Sequence, residues 1–352
     1  MNTGLYSDLH ENGVFQYGSV ELEKFEKQLT KYFSREYDRY RGSDEQLVVI
    51  NKGPLALAPE DLADNHYDEG LSFFQNFLDS KTMSYTMAYF DDIADLALVS
   101  NKTLEQAQTD KFSLIAGRMK LKGDEKLLNF GCGFGYFESY LLETYPEIQI
   151  SSLTHSKDQY DFINKRMTDS SDALSSERFH VFFGEIDNDS IDLLGREQYD
   201  VVSSVGLMEQ INNIELFFEI INELLIENGR MFHHLIVSRD MIPQLLDPDK
   251  TLIGKYFPGG KVLPFATLNN NFKNFAIDKA WFVNGINYWK TLEKWHENFW
   301  KNIDQIYPEK MDSDRVQYWN NYFVLCKAMF LPENGQAYGN GQYLYYKNSH
   351  QD

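Results

Sequence analysis

"LLNFGCGFGYFESYLLETYPEIQISSLTHSKDQY", residues 127–160, is the stretch that decides the fold. An apolar run, a glycine-rich turn, a segment with helical spacing and a second apolar run follow one another, which predicts strand, turn, helix and strand. Gly131 and Gly133 permit a tight turn and close approach of a ligand to the backbone, and the helix start supplies N–H groups. We therefore expect a nucleotide-like ligand at the carboxyl end of the first strand.

The turn departs from the common nucleotide motifs. Its third glycine, Gly135, comes one residue earlier than in the dinucleotide pattern G-x-G-x-x-G, and no Lys-Ser or Lys-Thr pair makes a Walker phosphate loop. The second strand ends in Thr154, His155 and Ser156, without the acid that usually binds a ribose. A structural turn in an unrelated α/β protein is the alternative that these residues leave open.

The same alternation of strands and helices continues along the chain, and it predicts an open, largely parallel α/β sheet. It begins with a helix over 103–121, where Thr103 and Gln106 form a capping box. Apolar runs indicate strands at 126–130, 148–154, 178–186, 199–206 and 230–237, with helices at 137–145, 157–167 and 214–229.

The two ends of the chain have a different character. In the N-terminal part, helical spacing appears at 19–33 and 69–78, and a loop is predicted at 52–61. Residues 238–280 form a loop-rich insert, and the remainder is predicted to be helical and rich in aromatic residues.

Composition narrows the possible settings and partners. The 352 residues carry a formal net charge of -20, which disfavours nucleic acid as a partner. No signal peptide and no apolar run of ~20 residues is evident, and Cys132 and Cys326 make neither a zinc pattern nor a disulfide framework. We expect a cytoplasmic protein without a metal site. Peripheral membrane contact and homodimer formation are left open.

Motifs along residues 65–330 carry a resemblance to a known family. In order, they are NFGCGFG (129–135) and, around it, 67–90, 104–111, 153–159, 203–210, 234–236, 256–264 and 287–299. These resemble S-adenosylmethionine-dependent methyltransferases of the cyclopropane fatty acid synthase superfamily, which includes mycolic acid methyltransferases and plant benzylisoquinoline N-methyltransferases.

The resemblance implies a Rossmann-like class I methyltransferase fold with a mixed, mostly parallel seven-stranded sheet and C-terminal helical additions. Residues 1–102 would form a helical N-terminal region and lid. Residues 103–352 would form the core with the insert and the acceptor-binding elements. The implied cofactor is S-adenosyl-L-methionine, with S-adenosyl-L-homocysteine as the product.

The resemblance also assigns cofactor-binding residues. Uncharged Thr154, Ser156 and Gln159 match a family segment that replaces the missing acid, although a helix cap is their alternative role. Glu185 takes the place of an acid that receives the adenine amino group. Tyr85 and Thr86 match a pair that closes over the methionine end, alongside Gly131 and Gly133. Asn129 stands where the family usually has Asp.

Three residues are implied to be catalytic. Glu209, His234 and Tyr288 match positions that hold a bicarbonate ion in cyclopropane synthases, but Met87 occupies the position of a fourth, cysteine ligand. Gln210 replaces a histidine of the plant N-methyltransferases. Each of these residues also has a structural, non-catalytic alternative. Glu209 would cap a helix, His234 would be a hydrogen-bonded histidine at a strand end, and Tyr288 would be a packing residue.

The acidic composition favours an amine-bearing acceptor over a phospholipid surface. We therefore expect methylation of a small or amphipathic acceptor at nitrogen or carbon, with Glu209 or His234 as the base. One alternative is methylene transfer to unsaturated acyl chains, as in lipid biosynthesis. Another is a non-catalytic protein that binds the cofactor or a partner.

Overall fold

The computed structural model describes residues 3–42, 53–56 and 70–348. Its described residues form one nine-stranded mixed sheet. The strands are β1 (Lys126–Phe130), β2 (Gln149–Thr154), β3 (Phe179–Phe183), β4 (Tyr199–Val205), β5 (Leu225–Ser238), β6 (Gln244–Leu245), β7 (Lys261–Pro264), β8 (Phe275–Asn284) and β9 (Tyr338–Lys347).

Helices flank the sheet and fill both ends of the chain. They are α1 (Thr3–Glu11), α2 (Val20–Tyr40), α3 (Leu71–Phe74), α4 (Ala94–Val99), α5 (Leu104–Arg118), α6 (Tyr136–Thr144), α7 (Lys157–Met167), α8 (Asn188–Leu194), α9 (Ile214–Leu224), α10 (Phe265–Leu268), α11 (Ile286–Lys301), α12 (Ser313–Met329) and α13 (Pro332–Gly335). No helix in these described stretches is both long and apolar enough to cross a membrane.

The predicted α/β class is confirmed. Strands β3, β2, β1, β4 and β5 pair in that order and in parallel, and β9 joins β5 antiparallel with β8 beyond it. These seven strands make the expected mixed sheet, and the insert adds β6 and β7 beside the end of β5. Because crossover helices return the chain to the same edge, the carboxyl ends of β1, β2, β4 and β5 meet there.

Two predicted helices are wrong in extent. The helix expected over 214–229 ends at Leu224, because Leu225 already pairs with Tyr199 in the sheet. The helix expected over 69–78 is only the four residues of α3 within the described part. Most of the loop predicted at 52–61 lies outside the described residues.

The last two core strands escaped the sequence analysis. Nine of the ten residues of β9 are buried, so the strand lacks the alternation of buried and exposed positions that identifies half-buried strands. It lies between β5 and β8, and it ends a region that otherwise reads as helical.

A helical layer made from both ends of the chain packs at the carboxyl edge of the sheet. Its apolar core joins Phe33 of α2 to Trp295 of α11 and to Trp319 and Phe323 of α12. The N-terminal helices are therefore packed against the C-terminal ones, and together they close the edge where the site residues gather.

Candidate active site

A cavity of about 390 Å³ lies at the carboxyl ends of β1, β2 and β4, and we call it the loop cavity. Seven of the eight residues predicted to bind the cofactor line it. They are Tyr85, Thr86, Gly131, Gly133, Thr154, Ser156 and Gln159. The structure thus brings together residues from three separate segments of the chain.

Glu185 is the exception among these eight. It follows β3 in an exposed position and is not part of the wall of the loop cavity. The structure therefore does not bring this carboxylate to the cavity, and its contact with adenine stays a prediction.

The glycine turn presents bare backbone to the loop cavity. Gly133 has a φ of 57°, and a Cβ built at this residue would meet no atom within 4 Å. Since a side chain there would be strained and would enter open space, glycine keeps this part of the cavity free for a ligand.

The polar groups after β2 form a network of their own. Thr154 Oγ1 donates to the side-chain oxygen Oε1 of Gln159 at 2.9 Å. Ser156 is the N-cap of α7, and its Oγ accepts from the backbone N–H of Gln159. Ser156 therefore caps the helix, and all three residues line the loop cavity. With the Thr154 proton and Gln159 Oε1 occupied, the Gln159 NH₂ and the Ser156 hydroxyl are the side-chain donors left for a ligand.

Asn129 compensates for the missing acid through a neighbour. Its Nδ2 donates to Glu138 Oε1 at 2.6 Å, and its Oδ1 accepts from Ser203 Oγ at 2.9 Å. Ser152 also donates to Glu138. Glu138 is fully buried, and burial raises its pKa. The carboxyl group at the base of the glycine turn is thus that of Glu138 on α6, and an amide at residue 129 donates to it without adding a second buried acid.

A buried lysine fixes the segment that carries Tyr85 and Thr86. Lys111 of α5 donates to the hydroxyls of Ser84 and Thr86, while Gln108 donates to the carbonyls of the same two residues. Burial lowers the pKa of Lys111 to about 7, and the charge of Asp79 opposes this shift. These bonds place two hydroxyls on the wall of the loop cavity.

A second cavity of about 100 Å³ adjoins the first, and we call it the inner chamber. All three residues predicted to be catalytic, Glu209, His234 and Tyr288, line it. Four residues line both cavities, namely Tyr85, Thr86, Gly206 and Gln210. The remaining wall of the inner chamber is largely apolar.

Glu209 has one oxygen held and one without a partner. Its Oε1 accepts from the Ile236 amide at 2.7 Å, whereas Oε2 is buried and has no hydrogen bond within the described chain. Burial raises the pKa of Glu209 to about 7, and the Ile236 hydrogen bond opposes the shift only in part. A carboxylate so placed can accept a proton near neutral pH.

His234 is held neutral by its neighbours. Gln342 Oε1 accepts from Arg118, so its Nε2 donates to His234 Nδ1 at 2.8 Å, and the ring proton must be on Nε2. Asn340 Nδ2 is placed 3.1 Å from His234 Nε2, and its Oδ1 is buried without a partner. A 180° flip of this amide exchanges the two atoms, so that Oδ1 accepts the proton on Nε2. Burial lowers the pKa of His234 to about 3. Both ring nitrogens are thus occupied.

Tyr288 and Met87 differ in their access to the inner chamber. The Tyr288 ring stacks on Phe330 with 4.5 Å between centroids and meets Trp295 edge-on, which gives the chamber an aromatic wall. Met87 is completely buried and is not part of that wall.

Sequence reasoning missed Gly206 at the junction of the two cavities. Its φ is 73°, and a Cβ there would approach Thr86 Cγ2 to 2.7 Å. The available signal was a glycine at the end of the strand predicted over 199–206. By contrast, no short-range pattern points to Asn340 or Gln342, which reach His234 from β9 across more than a hundred residues.

Comparison with known proteins identifies the family of this chain. The family model described as mycolic acid cyclopropane synthetase matches residues 58–338. The (S)-tetrahydroprotoberberine N-methyltransferase of Eschscholzia californica is 24% identical over 306 residues, covering 83% of this chain and 83% of its own. Cyclopropane mycolic acid synthase 3 of Mycobacterium tuberculosis is 27% identical over 286 residues, covering 75% and 90%.

A solved structure shares the fold over nearly the whole chain. It is that of coclaurine N-methyltransferase bound to N-methylheliamine and SAH, with a TM-score of 0.81 and 18% identity. The match covers 98% of this chain and 99% of the other. The helical layer is thus part of the shared fold along with the sheet.

Proposed function

The chain belongs to the mycolic acid cyclopropane synthetase family and is an S-adenosylmethionine-dependent methyltransferase, and we propose that it methylates the nitrogen of an amine. The observation that carries this proposal is the buried carboxylate of Glu209, whose Oε2 has no partner among the described residues. It lines a chamber that adjoins the loop cavity.

The loop cavity has the groups that S-adenosylmethionine requires. We infer that the backbone at Gly131 and Gly133 and the donors of Ser156 and Gln159 hold the nucleoside, with Thr154 orienting the Gln159 amide on the cavity wall. Tyr85 and Thr86 would close over the methionine end. When bound, the cofactor supplies a methyl group on a cationic sulfur. The helices of residues 1–102 would act as the lid that excludes water.

Glu209 would take the proton that N-methylation releases. An ammonium acceptor must first give one proton to a base, which frees the lone pair that attacks the methyl carbon, and the electrons of the broken carbon–sulfur bond pass to the sulfur. The pKa of Glu209, about 7, suits acceptance near neutral pH, and Ile236 holds the carboxylate in one orientation. The overall charge of -20 would favour the approach of an ammonium group.

His234 supports this arrangement without serving as the base. Because its two nitrogens bond Gln342 and Asn340, we infer that it fixes the chamber wall and presents Asn340 to the acceptor. The Tyr288 ring would face the cationic methyl group and stabilise it by cation–π attraction.

Bicarbonate is the alternative proton acceptor that the family resemblance implies. Gln210, Lys261 and Tyr288 on the chamber wall carry N–H or O–H groups that could face such an anion, whereas the His234 proton is used by Asn340 and the buried Met87 adds no donor. Because the unpartnered oxygen of Glu209 can accept a proton directly, Glu209 is the proposed base.

Product mass with a panel of primary and secondary amines tests the proposal. Incubation with S-adenosylmethionine is expected to add one CH₂ to at least one amine, and Glu209→Gln should lose this product while still binding the cofactor. Cofactor binding with no amine product would contradict N-methylation.

Methylene transfer to an unsaturated acyl chain is the second candidate. The apolar wall of the inner chamber, which includes Leu246, Val262 and Leu292, favours it. Unsaturated phospholipid vesicles, given in the same assay, separate the two reactions, because a cyclopropanated lipid would gain the CH₂ instead of the amine.

A further inference from the structure

A third cavity lies behind the inner chamber, and we call it the outer cavity. It has a volume of about 440 Å³ and lies between α2 and the insert, with walls from residues 32–40 and 244–262. None of the residues predicted to bind cofactor or to act in catalysis lines it.

One wall separates the outer cavity from the inner chamber. Leu246, Ile253, Val262 and Met329 line both cavities. The shared positions carry apolar side chains, one of them Val262 on β7, and an acceptor that reached both spaces would pass where these side chains change rotamer. The two spaces are therefore neighbouring compartments.

Size places most of an acceptor outside the inner chamber. Its volume of about 100 Å³ is well below the roughly 300–1,000 Å³ of usual ligand sites. The chamber would therefore hold the reacting nitrogen and only the nearest part of the acceptor. The outer cavity has the missing volume.

The wall of the outer cavity carries two carboxylates, and only one of them has an ion-pair partner among the described residues. Asp247 on its wall pairs with Lys250 at 2.7 Å, but the half-buried Glu36 of α2 has no ion pair or hydrogen bond among the described residues. Tyr32 and Tyr40 flank Glu36 one helical turn away on either side, and Tyr338, whose ring meets Phe33 of the same helix, also lines the cavity. Burial is the largest cause of the raised pKa of both Tyr32 and Tyr338, and the charge of Glu36 is the next largest.

A carboxylate among aromatic rings is a binding site for a cation. We propose that the outer cavity binds a second ammonium group of the acceptor, so that the substrate is an elongated diamine. One nitrogen lies beside Glu209, and the other lies beside Glu36 and the tyrosine rings. This inference rests on the proposed N-methyltransferase function and specifies its substrate class.

Straight-chain α,ω-diamines of increasing length, each compared with the monoamine of the same length, test this inference. Calorimetry on the enzyme with bound S-adenosylhomocysteine measures affinity, and product mass with S-adenosylmethionine measures turnover. At one chain length, the diamine is expected to bind about five- to tenfold more tightly than its monoamine, because one charged contact is added.

Glu36→Gln is the decisive variant. It should abolish the preference for the diamine and leave monoamine affinity within about twofold. Glu23→Gln, an exposed position on the same helix, is the matched control and should keep the preference. Unchanged affinity for S-adenosylhomocysteine verifies that each variant is folded.

The two hypotheses fail in different ways. Equal affinity of diamines and monoamines at every length, or a preference that survives Glu36→Gln, overturns the outer-cavity proposal even if monoamines are methylated. A diamine preference in binding without any methylated amine overturns N-methylation and keeps the outer cavity as a diamine site.

Discussion

The loop cavity and the inner chamber adjoin each other but are built in opposite ways. Most of the loop cavity comes from residues 129–159, where one strand-turn-helix-strand unit supplies glycines and hydroxyls. The inner chamber takes Glu209, His234, Tyr288 and Asn340 from separate segments and surrounds them with apolar side chains. Binding of a shared cofactor can thus rest on local backbone, while chemistry on a particular acceptor rests on long-range packing.

The sharpest way to separate the two regions is Glu209→Gln. Turnover should fall by about 10²–10⁴-fold, because general base catalysis contributes roughly that much. Gln keeps an oxygen for the Ile236 amide, so the chamber wall and the fold should persist. Single-turnover rates and S-adenosylmethionine affinity are the measurements, and a variant that loses cofactor binding equally would contradict separate roles.

The pH profile checks the same residue. Since Glu209 must be ionised to act as a base and its pKa is about 7, turnover of the acceptor-saturated enzyme should fall about tenfold per pH unit below that value. In Glu209→Gln the residual turnover should lack this limb. A wild-type limb near pH 4 would mean that burial does not raise the pKa of the base, and a limb that persists in Glu209→Gln would indicate another base.

Gly133→Val should damage the loop cavity selectively. A valine at φ 57° is strained, and its side chain would fill space that we assign to the cofactor. We expect S-adenosylmethionine affinity to fall by about 10²-fold, with the loss in KM for cofactor exceeding that in KM for acceptor. Gly117→Val, on the surface of α5 and also without atoms near its Cβ, is the control, and an equal loss of affinity there would contradict the assignment.

This difference in construction explains what the sequence could predict. The parallel strands and the glycine turn follow from local patterns, and the other predicted residues that line the loop cavity follow from family motifs. His234 was predicted to be at the site, yet its neutral state was not, because the groups that fix its tautomer come from β9. β9 itself was missed because burial on both faces removes its alternation.

Asn129→Asp tests whether the two carboxylate positions under the glycine turn are coupled. Asn129 Nδ2 now donates to Glu138 Oε1 at 2.6 Å. In the variant, a carboxyl oxygen of the new aspartate takes the place of Nδ2, so two buried acids come into contact. We expect a loss of about 2 kcal/mol in the free energy of unfolding and weaker cofactor binding, measured by denaturant titration and calorimetry.

Exchange of the two groups is the control for that prediction. Asn129→Asp combined with Glu138→Gln restores one acid and one amide, so most of the lost stability should return. Acceptor turnover at saturating cofactor should change little in either case, because Asn129 and Glu138 do not line the inner chamber. Additive losses in the double variant would mean that the two side chains are not coupled.

Lys111→Met should have the smallest effect, because Gln108 would still hold the carbonyls of Ser84 and Thr86. Only the bonds from Lys111 to the two hydroxyls are lost, and we expect cofactor affinity to fall about fivefold, as for ~1 kcal/mol. Lys126→Met, an exposed lysine of β1, is the control and should leave affinity unchanged. Since Thr86 lines both cavities, a larger loss in acceptor turnover than in cofactor affinity would show that Lys111 orders the inner chamber more than the loop cavity.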